Sequence, residues 1–173
     1  ACMDGIIFGG TFQSEVRAGH MGALLQVAEH AASEAGRRLP LRKVAEIKLS
    51  VAQDGRAARE FVKHSVAGRV VSLRERGYND DDYRKLGIDP AGVDRLQEAE
   101  RSGGSFSDHL DLVTDAMIDA IFVAGDPVQC REKMTEGCAM ARAHGFLQLM
   151  FSELGPDLKQ GLRLLCDEIL PHL

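Results

Sequence analysis

The chain has no paired cysteines. Its four cysteines, Cys2, Cys130, Cys138 and Cys166, are scattered without a CxxC spacing. That argues against a disulfide scaffold and against a zinc site, and it points to a reducing cytoplasm. Nor is there an excess of positive charge, since 21 Lys and Arg stand against 26 Asp and Glu for a formal charge of −5. A mildly acidic surface does not gather phosphate backbones, so nucleic acid is not an expected partner. No apolar run approaches the roughly 20 residues that cross a bilayer, so a membrane is not expected either. The opening Ala1-Cys2-Met3-Asp4 places an acid where a secretion signal needs an apolar segment. The six histidines (His20, His30, His64, His109, His144, His172) show no ligand spacing, and no metal is expected. A glycine-rich dinucleotide fingerprint is also missing, which weakens the reading of a doubly wound nucleotide-binding domain.

What is present suits one domain. The 173 residues are 45% hydrophobic and 27% charged, enough to bury a real core. An apolar, β-branched run starts at residue 4 with no initiating methionine, so the chain is expected to be cut from something longer. Residues 4–8 predict a buried strand that ends in Gly9-Gly10. A helix capped by Ser14 follows, with Val16, Ala23, Leu24, Val27, Ala28, Ala31 and Ala35 on one inward face, and Gly36 stops it before Pro40. Residues 43–51 alternate as a second strand, with Ala45, Ile47, Leu49 and Val51 on one face and Val44, Glu46, Lys48 and Ser50 on the other. Asp54 then caps a helix running through Ala57, Ala58, Phe61, Val62, Val66 and Val70.

About residues 74–106 are charged and glycine-punctuated. They read as an insertion of short helices and loops, with Asp80-Asp81-Asp82 capping one helix and Asp89-Pro90 starting another. Ser107 and Thr114 look like caps, and residues 115–123 read as one apolar helix. Gly125-Asp126-Pro127 begins a long helix with Val128, Met134, Cys138 and Ala141 inward. Residues 146–151 make a third strand. Gly155-Pro156-Asp157 starts the last helix, with Leu158, Leu162, Leu165 and Ile169 inward. Repeated strand–helix units imply an α/β fold with parallel strands and outer helices. Three such strands leave two bare edges. The chain is therefore expected to be either a segment of a βα barrel or a half that completes itself with another copy.

Several motifs carry a family resemblance. Ala1-Cys2-Met3-Asp4-Gly5-Ile6-Ile7 is similar to an "A-x-x-D-G-hydrophobic" sixth strand. Val44-Ala45-Glu46-Ile47-Lys48-Leu49-Ser50-Val51 is similar to a seventh. Ile121-Phe122-Val123-Ala124-Gly125-Asp126-Pro127 looks like a "hydrophobic-x-G-T/D-P" start of the last repeat, and Ala143-His144-Gly145-Phe146 leads into an eighth strand. Ser152-Glu153-Leu154-Gly155-Pro156-Asp157 and Glu168-Ile169-Leu170-Pro171 look like a reductase-type ending. Together they resemble the C-terminal half of the luciferase-like flavin oxidoreductases, a superfamily that includes deazaflavin-dependent methylenetetrahydromethanopterin reductases. The resemblance implies a TIM-type (β/α)8 barrel. This chain would supply about strands six to eight as a single partial domain over 1–173, with FMN or a deazaflavin coenzyme at the C-terminal strand ends.

Three groups of residues are candidates for that site. Gly9, Gly10 and Thr11 follow the first strand, where barrel sites are built. Glycines let a backbone approach a flat ring or a phosphate, though a tight turn needs them as well. Glu46 and Lys48 project together from a strand flanked by helices. A lone buried charge is costly, so they should pair with each other, meet a ligand or face solvent. Ser152, Gly155 and the start of the last helix suggest an anion site, against which Glu153 and Asp157 weigh. Gly9, Gly10, Thr11, Glu46 and Ser152 are the expected cofactor contacts, and no catalytic residue is assigned.

The function expected of the parent protein is hydride transfer or oxygen activation on a small-molecule substrate, as a monooxygenase or a methylenetetrahydromethanopterin reductase. It is expected to be a homo-oligomer. The rival from another class is a non-catalytic half-barrel that self-associates through its strand edges.

Overall fold

The computed structural model describes residues 4–38 and 40–173. Cys2 and the first three residues of the leading motif lie outside them. Among the described residues one parallel sheet holds four strands: β1 (Gly5–Phe8), β2 (Arg42–Val51), β3 (Val123–Gly125) and β4 (Gln148–Leu154). The helices are α1 (Phe12–Ala18), α2 (Met21–Glu34), α3 (Gly55–Glu75), α4 (Asp80–Lys85), α5 (Pro90–Arg101), α6 (Asp115–Ile121), α7 (Pro127–Ala143) and α8 (Leu158–Leu164).

β2 touches every other strand. Val44 and Ala45 pair with β1 and also with β4, while Leu49 and Ser50 pair with β3 and also with β4. A strand has one partner per edge at any residue. β1 and β3 therefore lie end to end along one edge of β2, and β4 occupies the other.

The alternation of β2 sorts the cores. Ala45, Ile47, Leu49 and Val51 are all at most 1% exposed. Ile47, Leu49 and Val51 meet Met134, Cys138, Leu164 and Ile169, while Ala45 meets Phe12, Ala141 and Phe146. A separate core joins α3 to α4, α5 and α6 through Val62, Val66, Val70, Tyr83, Leu96, Met117 and Phe122. The expected insertion is thus tied down, because Tyr83, Ile88, Val93 and Leu96 are buried in that core. Its helix starts are held by Asn79, which accepts from the Asp81 and Asp82 amides and so takes the capping place expected of the acidic run, and by Asp89, which accepts from Ala91.

Some expectations need correction. The apolar pattern predicts one helix from Ser14 onward, but Gly19 takes φ +90 and ends α1, and α2 restarts at Met21. Ser14 does not cap. It is buried and donates to the Ala120 carbonyl. Val27 of α2 is 69% exposed, since no described residue covers that side, and Leu24 shares its exposure. Residues 115–123 are not one helix: α6 stops at Ile121, and residues 123–125 are drawn into strand geometry by Leu49, Ser50 and Val51 of β2. Ser105 caps the turn at Phe106–Asp108 in place of Ser107. Val128, Leu158 and Leu162, predicted inward, are exposed.

The last helix owes its orientation to a close approach. Gly161 faces the Leu154 carbonyl so tightly that a Cβ there would collide with it. Leu164, Leu165 and Ile169 then turn inward, across a π-type turn at Leu165–Ile169. Alanine favours a helix over glycine by about 1 kcal/mol, but overpacking costs about 1–3 kcal/mol. Gly161→Ala is therefore expected to destabilise. Gly22→Ala, in α2 with nothing within 4 Å of the added Cβ, is expected to stabilise by about 0.5 kcal/mol. Denaturant unfolding reads both, and a stabilising Gly161→Ala would refute the close contact.

Candidate functional site

The polar face of β2 gathers charge. Glu46 and Lys48 stand two residues apart, so the pleat sends both side chains the same way. Ser152 of β4 pairs with Lys48 and joins that face. Its hydroxyl donates to Glu46 Oε1 at 2.6 Å. Lys48 Nζ lies 3.6 Å from Glu46 Oε1 and 2.6 Å from Glu153 Oε1. Arg69 Nη2 of α3 reaches Glu153 Oε1 at 3.4 Å. Two cations thus meet two carboxylates, and the Lys48 and Glu46 side chains are only 6% and 14% exposed.

Glu153 reaches this cluster by leaving strand geometry. Regular alternation would send it toward the apolar side with Leu49, its register partner. Instead Glu153 has φ +77 and Leu154 φ +58, a left-handed pair. Non-glycine residues there cost of order 1 kcal/mol each. The turned backbone gives Lys48 its shortest ionic contact.

The glycine loop completes the cluster. β1 ends level with Ala45, so Gly9 and Gly10 lie beside Glu46. A Cβ at Gly9 would stand 2.6 Å from Glu46 Oε2, and Gly10 has φ +74. Burial raises the pKa of Glu46, but the Ser152 hydroxyl, the Lys48 charge and the Gly10 amide together outweigh it and hold the carboxyl below its usual range.

The predicted residues divide. Gly9, Gly10, Glu46 and Ser152 come together. Thr11 is engaged elsewhere: its hydroxyl donates to Glu15 Oε1 at 3.3 Å and accepts from Arg76 Nη1 at 3.0 Å. The three parts of the supposed anion site separate, since Ser152 turns to Glu46 and Asp157 accepts from the Gln160 amide at the helix start. Gly155 serves a backbone contact, where a Cβ would stand 2.6 Å from the Val51 carbonyl.

Beside the loop opens a cavity of about 610 Å³ lined by Ile7, Gly9, Thr11, Glu15, His20 and Leu24, among others. Sequence reasoning also missed a second ionic group, in which Arg59 and Lys133 contact Asp119 at 2.8 and 2.6 Å. Both cations also donate to the Ala124 carbonyl of β3. This anchors the short strand, and sequence separation hides it.

The ionic arrangement sets a pH dependence. Because Glu46 titrates lower in the folded state, its stabilisation is present above the unfolded value of roughly 4.3 and is lost as pH falls through the folded value. Glu46→Gln is expected to cost about 1–3 kcal/mol at neutral pH, with the gap to wild type closing as pH falls below 4.3. Lys48→Met leaves facing carboxylates unbalanced and is expected to cost more, about 3–5 kcal/mol. Urea unfolding across pH checks both, and a gap that widens in acid would refute the assignment.

No family model matches the chain. It is 32% identical over 145 residues to 5,10-methylenetetrahydromethanopterin reductase of Methanopyrus kandleri, a stretch covering 83% of this chain and 39% of the relative. The solved coenzyme F420 dependent tetrahydromethanopterin reductase from Methanopyrus kandleri matches with a TM-score of 0.70 and 27% identity, over 98% of this chain and 45% of that one. The chain thus spans less than half the length of these relatives. With sequence and fold agreeing over most of its residues, the chain is homologous to part of methylenetetrahydromethanopterin reductase.

Proposed function

We propose that this chain is part of a cytoplasmic, coenzyme F420-dependent oxidoreductase that reduces a small pterin-type substrate. It would contribute one section of a (β/α)8 barrel. The observation that carries this reading is the meeting of reductase homology with a charge-balanced polar cluster at the bare Gly9-Gly10 backbone. That cluster lies just past the C-terminal end of β1, where parallel α/β sheets bind their ligands.

The residues suit a flat, polar-edged ring. Gly9 and Gly10 expose backbone without Cβ atoms. Glu46 stays ionised and can accept N–H groups, while Lys48 and Ser152 fix its position. A bound deazaflavin supplies hydride transfer, and the chain's part is to hold the ring, orient it and keep water from it. The homology favours a deazaflavin over FMN, and no comparison favours the non-catalytic half-barrel. The exposed Val27 side of α2 offers a surface for further barrel elements or a second copy. No helix among the described residues is long and apolar enough to cross a membrane.

Titration of the full-length protein with F420 tests this. Quenching of the coenzyme's fluorescence is expected, and Glu46→Gln should weaken it about tenfold. Binding of FMN in its place, or of neither, would overturn the reading.

A further inference from the structure

At the rim of the ionic cluster one oxygen serves two cations. Glu153 Oε1 takes Lys48 Nζ at 2.6 Å and Arg69 Nη2 at 3.4 Å. Among the described residues no hydrogen bond reaches the second oxygen of that carboxylate. Arg69 is aimed at this point by its own helix, since its Nε donates to Ser65 Oγ at 3.1 Å. Gly10 lies against both cations. A Cβ on it would stand 3.4 Å from Arg69 Nη1 and 3.9 Å from Lys48 Cε, so the absent side chain leaves room beside both. Burial separates the partners: the Lys48 side chain is 6% exposed, while those of Glu153 and Arg69 are 29% and 33% exposed. Glu153 is moreover brought there by a left-handed backbone that a residue with a Cβ disfavours. A strained residue at the C-terminal end of a parallel strand is a pointer from geometry to function.

We propose that Lys48 and Arg69 form a clamp for an oxyanion of the ligand, and that the Glu153 carboxylate occupies this clamp until that anion arrives. The exchange conserves charge. Glu153 turns to solvent about its own side-chain bonds, and a phosphate or carboxylate group takes its place, so Lys48 keeps an anion in front of it throughout. The incoming group also matches the donors better. A guanidinium presents paired N–H groups, and a group with two or three free oxygens meets it and the ammonium together, where Glu153 offers one oxygen to both. Glu46 stays behind, held by the Ser152 hydroxyl, and keeps its contact with Lys48. The clamp adjoins the glycine loop, and it rests on the reductase reading for the molecule that carries the anion. That molecule is the coenzyme through its side arm or the substrate through an anionic tail, and the chemistry recognised is the same.

The test uses the full-length protein with inorganic phosphate, F420, and 8-hydroxy-5-deazariboflavin, which carries the same ring without the phosphate arm. Phosphate at low millimolar concentration is expected to raise the melting temperature of wild type. Glu153→Gln removes the competing charge and should tighten phosphate binding about tenfold, whereas Arg69→Gln should weaken it about tenfold. A gain of affinity cannot come from a damaged fold, so Glu153→Gln decides the matter if Arg69→Gln does not fold. Phosphate that competes with F420 but not with 8-hydroxy-5-deazariboflavin upholds the clamp and assigns the anion to the coenzyme. Phosphate that binds alongside F420, still with dependence on Glu153 and Arg69, upholds it and assigns the anion to the substrate. A phosphate response that is absent, or equal in wild type and both variants, would overturn the clamp, and F420 binding in that case leaves the reductase reading standing. A response that depends on both residues without F420 binding would uphold the clamp and overturn the coenzyme.

Discussion

Lys48 stands in the central strand with its side chain 6% exposed, and a cation so placed is tolerated only while carboxylates face it. That condition reaches into three segments of the chain. Glu46 must sit on the same strand face two residues earlier. β4 must run in the register that brings Ser152 to Glu46. The end of β4 must turn left-handed so that Glu153 arrives from what would otherwise be the apolar side. The bare Gly9 backbone then follows from Glu46, because any side chain there would occupy the space of the carboxylate. One buried charge thus constrains the register of β4, the conformation of its end and the composition of the loop after β1.

The same chain of dependence explains what could be read from the sequence. Nine alternating residues declare both the strand and its two faces, and Glu46 and Lys48 stand out because charge is unexpected between helices. The glycines after β1 were legible as a close approach, though the neighbour they make room for was not. Glu153 was illegible as a partner: a two-residue period assigns it to the other face, and only packing around β4 sets its φ. β3 was hidden for a different reason. A three-residue strand shows no period, and what makes it a strand is β2 at its side together with Arg59 and Lys133 on the Ala124 carbonyl. In α2 the apolar spacing correctly marks a helix face, but spacing cannot say what covers that face, and in the described residues Val27 is left open.

The placement of β3 bears on how this segment could join a barrel. In a wall of parallel strands laid down in chain order, β2 would separate β1 from β3. Here β1 and β3 share an edge of β2, and β4 takes the opposite edge over seven register pairs. The two can share an edge because β1 stops at Ala45 and β3 begins at Leu49, leaving the intervening stretch of that edge beside the glycine loop. The far end of the polar face is closed by α3, since Ser50 donates to the Ala58 carbonyl and Ala124 packs into the α3 core. At the near end, around Glu46 and Gly10, α3 reaches the cluster through the Arg69 side chain. Any further strands would therefore add at the outer edges of β1 and β4 and enclose the Glu46–Lys48 face. The cluster would then become an inward wall, where its charge balance would matter more because the surrounding dielectric would be lower.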